Sequence, residues 1–199
     1  TMLLGAFLAE VNVVDHPASG SYGIDICQTK EPNRQMFIDA LIAANVTHTF
    51  TGDKIRIYGK QFAVYFAQFG HAKDKHIPDH VFQLPVAPLQ TLFKWLMWGD
   101  GSRHVDLVEG RPVCYGTTSP RLADDLQRLC LHLGWAANVA KVHDGGPTAV
   151  MGKACVAQPY YRVGIVTTKL SPQVNHSHVK TQGGQEECFL ENYDQPVYC

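Results

Sequence analysis

Leu3-Leu4-Gly5-Ala6-Phe7-Leu8-Ala9-Glu10, near the start of the chain, and Phe93-Lys94-Trp95-Leu96-Met97-Trp98-Gly99-Asp100-Gly101, near its middle, follow one plan. Each is an apolar run at helical length that closes on a single acid. The repetition predicts a pseudo-two-fold molecule in which two helices pack side by side and bring Glu10 and Asp100 together at one end. Gly5 and Ala9 stand at i and i+4 of the first helix, so they share a face and are small enough to admit a close neighbour.

The plan extends outward from both helices. After Glu10 come a strand over residues 12–17, a break at His16-Pro17-Ala18-Ser19-Gly20, and a strand from Ser21 to Thr29 with Tyr22, Ile24 and Ile26 on one face. Pro32 opens a helix carrying Met36, Phe37, Ala40, Leu41 and Ala44, and a hairpin follows, residues 47–51 and 54–58 about a Gly52-Asp53 turn. A further helix spans about residues 60–69. The second half repeats the order: a helix at 88–98, strands near 102–108 and 112–118, a helix started by Ser119-Pro120 and ended by Gly134, and strands near 136–142 and 160–168 around a loop holding Asp144-Gly145-Gly146-Pro147. Each half reaches the same punctuation, Lys75-x-x-Pro78 and Lys169-x-x-Pro172, 65 and 69 residues after its acid. Residues 1–84 and 85–169 are thus expected to be two repeats, with 170–199 a linker and a final element.

Composition bounds the class. Of 199 residues 45% are hydrophobic, enough for a real core. The apolar runs fall short of the roughly 18 residues of a membrane span and no secretory signal pattern is present, which predicts a soluble, intracellular protein in nucleus or cytoplasm, away from membranes. Six cysteines without a Cys-x-x-Cys pair offer neither a zinc knuckle nor a redox motif. The net charge of −1 does not point to nucleic acid. From Leu170 onward, however, one base stands against four acids, which leaves +2 on residues 1–169, and phosphate binding depends on where the cations sit.

Two acids at helix ends invite a metal. A carboxylate at a helix C-terminus opposes the dipole by a few tenths to about 1 kcal/mol, a cost that a bound cation relieves. Phosphodiester hydrolysis needs a positioned water, a neutralised phosphate and a stabilised leaving oxygen, and carboxylates sharing divalent ions supply these. Magnesium accepts such a set, completing its shell with water and phosphate oxygens.

Glu10, Asp100 and the Gly99-Asp100-Gly101 ending resemble the helix motif of the LAGLIDADG homing endonucleases. Lys75-x-Ile77-Pro78 resembles the lysine motif of the intein-borne members, Thr117-Thr118-Ser119 with Leu122, Leu126, Leu129, Leu133 and Gly134 looks like the block after their second helix, and Gln195-Pro196-Val197-Tyr198-Cys199 is similar to the start of an intein C-terminal splicing block. The resemblance implies an α+β fold of two αββαββ repeats whose antiparallel, saddle-shaped sheets cover double-stranded DNA. It implies a monomeric, magnesium-dependent endonuclease that cuts both strands at the intein insertion site, with the parent splicing domain as a second partner. Glu10 and Asp100 would be the metal-binding acids and Lys75 and Lys169 would assist at the cleavage centres. By strand parity, Lys54, Arg56, His104, Asp106 and Arg162 are the candidates for reading DNA.

Two positions depart from the motif. Val11 stands where glycine follows the first acid, and Trp95 occupies a place that is usually small. The tryptophan either fits opposite Gly5 or spreads the helices and separates the acids. The alternative function is accordingly a degenerate domain that only binds DNA or only supports the splicing domain.

Overall fold

The computed structural model describes residues 1–16, 18, 20–52, 54–102, 113–150 and 153–167. The first half runs α1 (Met2–Glu10), β1 (Val11–His16), β2 (Ser21–Cys27), α2 (Glu31–Ala43), β3 (His48–Thr51), β4 (Lys54–Tyr58) and α3 (Lys60–Ala67). A 3-10 turn over Asp79–Gln83 leads into the second half: α4 (Val86–Asp100), β5 (Gly101–Ser102), β6 (Val113–Thr117), α5 (Pro120–His132), β7 (Ala136–His143), β8 (Gly146–Val150), β9 (Lys153–Ala157) and β10 (Tyr160–Val166). Among the described residues, no helix is long and apolar enough to cross a membrane.

Two four-stranded antiparallel sheets have the orders β1-β2-β4-β3 and β5-β6-β10-β7. The two orders superimpose if β4 corresponds to β10 and β3 to β7, so each half is an αββαββ repeat, as the sequence predicts. The inner faces meet the helices. Ile24, Ile26, Ile55 and Ile57 of the first sheet and Tyr115, Val163 and Ile165 of the second are buried with Phe7, Phe37, Leu92, Leu96 and Trp98 in one core. Alternation explains this, because period-two apolar residues put one whole face of a strand out of water.

The second repeat differs by an insertion. The segment after β7, which reads as a loop in sequence, contains the hairpin β8–β9, paired from Gly146↔Ala157 to Val150↔Lys153. Its β9 residues are exposed on both faces except at Ala157, and Val156 is 71% exposed. A strand that buries neither face carries no alternation, so its sequence offered no period to read.

Ser119 begins α5 as expected: its Oγ accepts the Leu122 N–H at 3.1 Å and Pro120 fills the first turn. Leu122, Ala123, Leu126, Leu129 and Cys130 form its buried face. Burial pushes the Cys130 thiol up to about 12, which leaves it inert at neutral pH.

The two central helices, α1 and α4, meet at Gly5. A Cβ there would stand 2.7 Å from the Leu92 carbonyl oxygen, 2.8 Å from Trp95 Cβ and 3.2 Å from the Leu96 nitrogen. Two of these three atoms are backbone and cannot step aside. Gly5 lies five residues before Glu10, and Trp95 lies five before Asp100. Corresponding positions of the repeats therefore face each other at the crossing.

Although alanine is the better helix former by about 1 kcal/mol, Gly5→Ala is expected to destabilise the chain by about 1–3 kcal/mol, seen as a lower urea midpoint; an unchanged or higher midpoint excludes this contact. A second expectation concerns the link between the halves, where Asp125 of α5 accepts the Ile77 N–H at 2.8 Å. Burial holds the Asp125 carboxyl above its ordinary value of 3.8, against the pull of the Ile77 N–H and of Arg121. The folded state then binds the proton more tightly, so the stability this group contributes is fully present below 3.8 and is lost as pH rises through the raised folded value. Asp125→Asn removes that term. The melting temperature of the variant should gain on the parent as pH rises from about 3.5 to about 6, and a constant difference would refute the assignment.

Candidate active site at the paired helix ends

The last four carbonyls of an α-helix lack intrahelical partners, and side chains from other elements supply partners at both central helices. On α4, Asn33 at the start of α2 donates through Nδ2 to the Trp98 carbonyl at 3.3 Å, and the Trp98 indole Nε1 donates back to the Asn33 carbonyl at 2.9 Å. On α1, Lys75 Nζ donates to the Phe7 carbonyl at 2.9 Å and lies 5.3 Å from the centre of the Phe7 ring. A cation at this end of a helix opposes the negative pole of the dipole.

These links also orient the helices. Val11, next after Glu10, pairs with Ile26, and the chain runs from there into α2, whose Asn33 holds the end of α4. Reciprocally, Gly101, next after Asp100, pairs with Tyr115, and that strand leads to Ser119, whose Oγ donates to the Lys75 carbonyl at 2.7 Å while Lys75 holds the end of α1. The end of each central helix is thus linked to the end of the other through a strand pair and side-chain hydrogen bonds.

Trp95 does not wedge the helices apart. Its Cβ faces Gly5, but its ring turns toward α2, where it meets Phe37 edge-on at 5.1 Å and Trp98 at 5.5 Å. It is 4% exposed. Glycine at position 5 is what makes room, and of the two alternatives left open by the sequence, the fitted one holds.

The glycine after Asp100 has its own cause. A Cβ on Gly101 would stand 2.4 Å from the Met97 carbonyl oxygen, because the chain leaves the helix and enters β5 without an intervening residue. At the corresponding place of the first repeat, Val11 enters β1 just as directly. Asp100 is exposed at the end of α4. Among the described residues no group of three or more His, Cys, Asp and Glu side chains gathers to hold a metal.

The candidates for reading DNA separate into three kinds. Lys54 on β4 and Arg162 on β10 are exposed, and Arg162 is flanked in register by Gly116, over which the Tyr160 ring lies, and by Ala140. Arg56 is half-buried and engaged. Its Nε and Nη2 donate to the two carboxylate oxygens of Asp25, each at 2.6 Å, across the Asp25↔Arg56 pair, and this holds the guanidinium above its ordinary value. His104, Asp106 and Lys169 lie outside the described residues. Sequence reasoning missed Asp25, Asn33, Ser119 and Asp125 as parts of this region. Alternation did place Asp25 on the outer face with Arg56, but only the register makes them partners.

A model of a family described as "LAGLIDADG-like domain" matches residues 91–170, from α4 to just beyond β10. Among curated proteins, the DNA-directed RNA polymerase subunit beta C-terminal section of Stigeoclonium helveticum is 37% identical over 87 residues, which are 43% of this chain and only 8% of that protein. Among solved structures, I-DmoI in complex with DNA and Mn is similar at a TM-score of 0.51 and 13% identity, over 82% of this chain and 86% of the other. I-DmoI in complex with DNA and Ca gives 0.50 and 14%, over 83% and 81%. The chain has the α+β fold of the I-DmoI LAGLIDADG homing endonuclease structures, and its second repeat matches the LAGLIDADG-like domain.

Proposed function

We propose that the chain is a site-specific, magnesium-dependent DNA endonuclease domain carried by an intein, cutting both strands at the insertion site. One observation carries the reading: α1 and α4 close on each other at Gly5, and each is followed directly by the first strand of a sheet. In this reading Glu10 and Asp100 share one end of the molecule, near Lys75, which donates to the Phe7 carbonyl of α1. The similarity to I-DmoI structures bound to DNA supports double-stranded DNA as partner. The matched stretch of the polymerase subunit, a small fraction of that protein, fits a domain borne inside a longer host chain.

In this reading Glu10 and Asp100 offer hard oxygen ligands. A bound divalent ion would supply Lewis-acid stabilisation of the charge that develops on the phosphate and the leaving oxygen. Lys75 brings a fixed positive charge to the same end, where it stabilises negative charge without reorganising. Lys169 has the corresponding place in the second repeat by spacing. Lys54 and Arg162 face outward from the sheets to meet DNA, and Arg56 presents a guanidinium whose orientation is set by Asp25.

The second reading, a domain that binds DNA without cutting, is favoured by Val11 at the end of α1. The two separate on one substrate, a supercoiled plasmid bearing the sequence made by joining the DNA on either side of the inserted coding region. With magnesium, the parent chain is expected to linearise it at one site, and persistent supercoil under conditions of measurable binding selects the second reading. Glu10→Gln and Asp100→Asn should each lower cutting by at least about a thousandfold while leaving the DNA dissociation constant nearly unchanged; normal cutting by either removes its role. Lys75→Ala is expected to slow cleavage about a hundredfold, measured in single turnover, and a rate within about threefold of the parent would remove the lysine from the mechanism.

A further inference from the structure

We propose that Ser119 and Asp125 are positioning residues for Lys75, a clamp by which the second repeat sets the cation at the end of the first repeat's helix. The inference rests on the reading of Lys75 as part of the active site.

A lysine ammonium sits at the end of four rotatable bonds, so its place depends on where its Cα is held. Here the chain directly after that Cα is tied to α5 at two points. The Ser119 hydroxyl, 0% exposed, donates its one proton to the Lys75 carbonyl at 2.7 Å and accepts the Leu122 N–H at 3.1 Å. Two residues on, the Ile77 N–H donates to Asp125 Oδ2 at 2.8 Å. The Lys75 side chain is itself buried, reaching past the Phe7 ring to the Phe7 carbonyl. The same strand that delivers Ser119 pairs with Gly101 beside Asp100. One helix start in the second repeat therefore sets the distance between the first repeat's lysine and the second repeat's acid.

Capping and clamping by Ser119 can be told apart by chemistry. An aspartate at position 119 keeps an acceptor for the Leu122 N–H but has no proton for the Lys75 carbonyl. Asp125→Asn keeps an acceptor for Ile77, whereas Asp125→Leu does not. The first measurement needs no DNA: trace acetylation of the 199-residue chain with acetic anhydride, Lys75 being compared with exposed Lys54 by mass spectrometry. In the parent, and in Asp125→Asn, Lys75 should react at least about tenfold more slowly than Lys54, and Ser119→Asp and Asp125→Leu should remove that difference while keeping a cooperative thermal transition. If Ser119→Asp does not fold, the Asp125 pair makes the same comparison. Protection of Lys75 that survives in folded Ser119→Asp and Asp125→Leu overturns the proposal.

The second measurement follows the plasmid from supercoil through nicked circle to linear. Ser119→Asp should slow one of the two strand cuts about a hundredfold, so that nicked circle accumulates while the DNA dissociation constant holds. Linearisation at the parental rate overturns the proposal. A parent chain that binds but never cuts strikes the nuclease reading instead, and the acetylation result alone then upholds or overturns the clamp.

Discussion

The contact at Gly5 is the constraint from which the rest of the molecule follows. The approach needs a glycine, because the Leu92 carbonyl, the Leu96 nitrogen and Trp95 Cβ already occupy the space that a Cβ on Gly5 would need. That approach gathers two repeats about one axis. It also draws the apolar faces of both sheets into a single core, in which Phe37 of the first repeat stacks against Trp98 of the second at 5.1 Å. A wider crossing would open that core and part the ends of α1 and α4 together.

The helix ends are the next constraint. Backbone carbonyls near the ends of both central helices take hydrogen bonds from side chains of other elements, a neutral amide at α4 and an ammonium at α1. The asymmetry matters because an acid is the last residue of each helix, where the dipole already disfavours it. Lys75 moderates that disfavour at one end. The outer faces of the sheets are similarly managed. Asp25 neutralises Arg56 and fixes the plane of its guanidinium, whereas Lys54 and Arg162 stay exposed.

Much of this was legible in the residues. Apolar runs marked α1 and α4, apolar spacing marked α2 and α5, alternation marked β2 and β4, and Ser119-Pro120 marked a helix start, because each signal is local. The hairpin β8–β9 was not legible, since exposure of its strands left no period. Nor were the partners of Lys75: Ser119 follows it by 44 residues and Asp125 follows Ile77 by 48. No local pattern encodes a hydrogen bond across that separation.

By itself, then, the sequence determined the repeated plan, the identity of the acids and the smallness of position 5, because periodicity, end residues and the absence of a Cβ are properties of short segments. Tertiary structure decided that Trp95 turns its ring toward Phe37 instead of into the helix crossing, that Arg56 is tied to Asp25, and that Lys75 is held from α5. Each of these depends on which distant backbone lies opposite, and that is settled only when sheet register and helix packing bring the two repeats together.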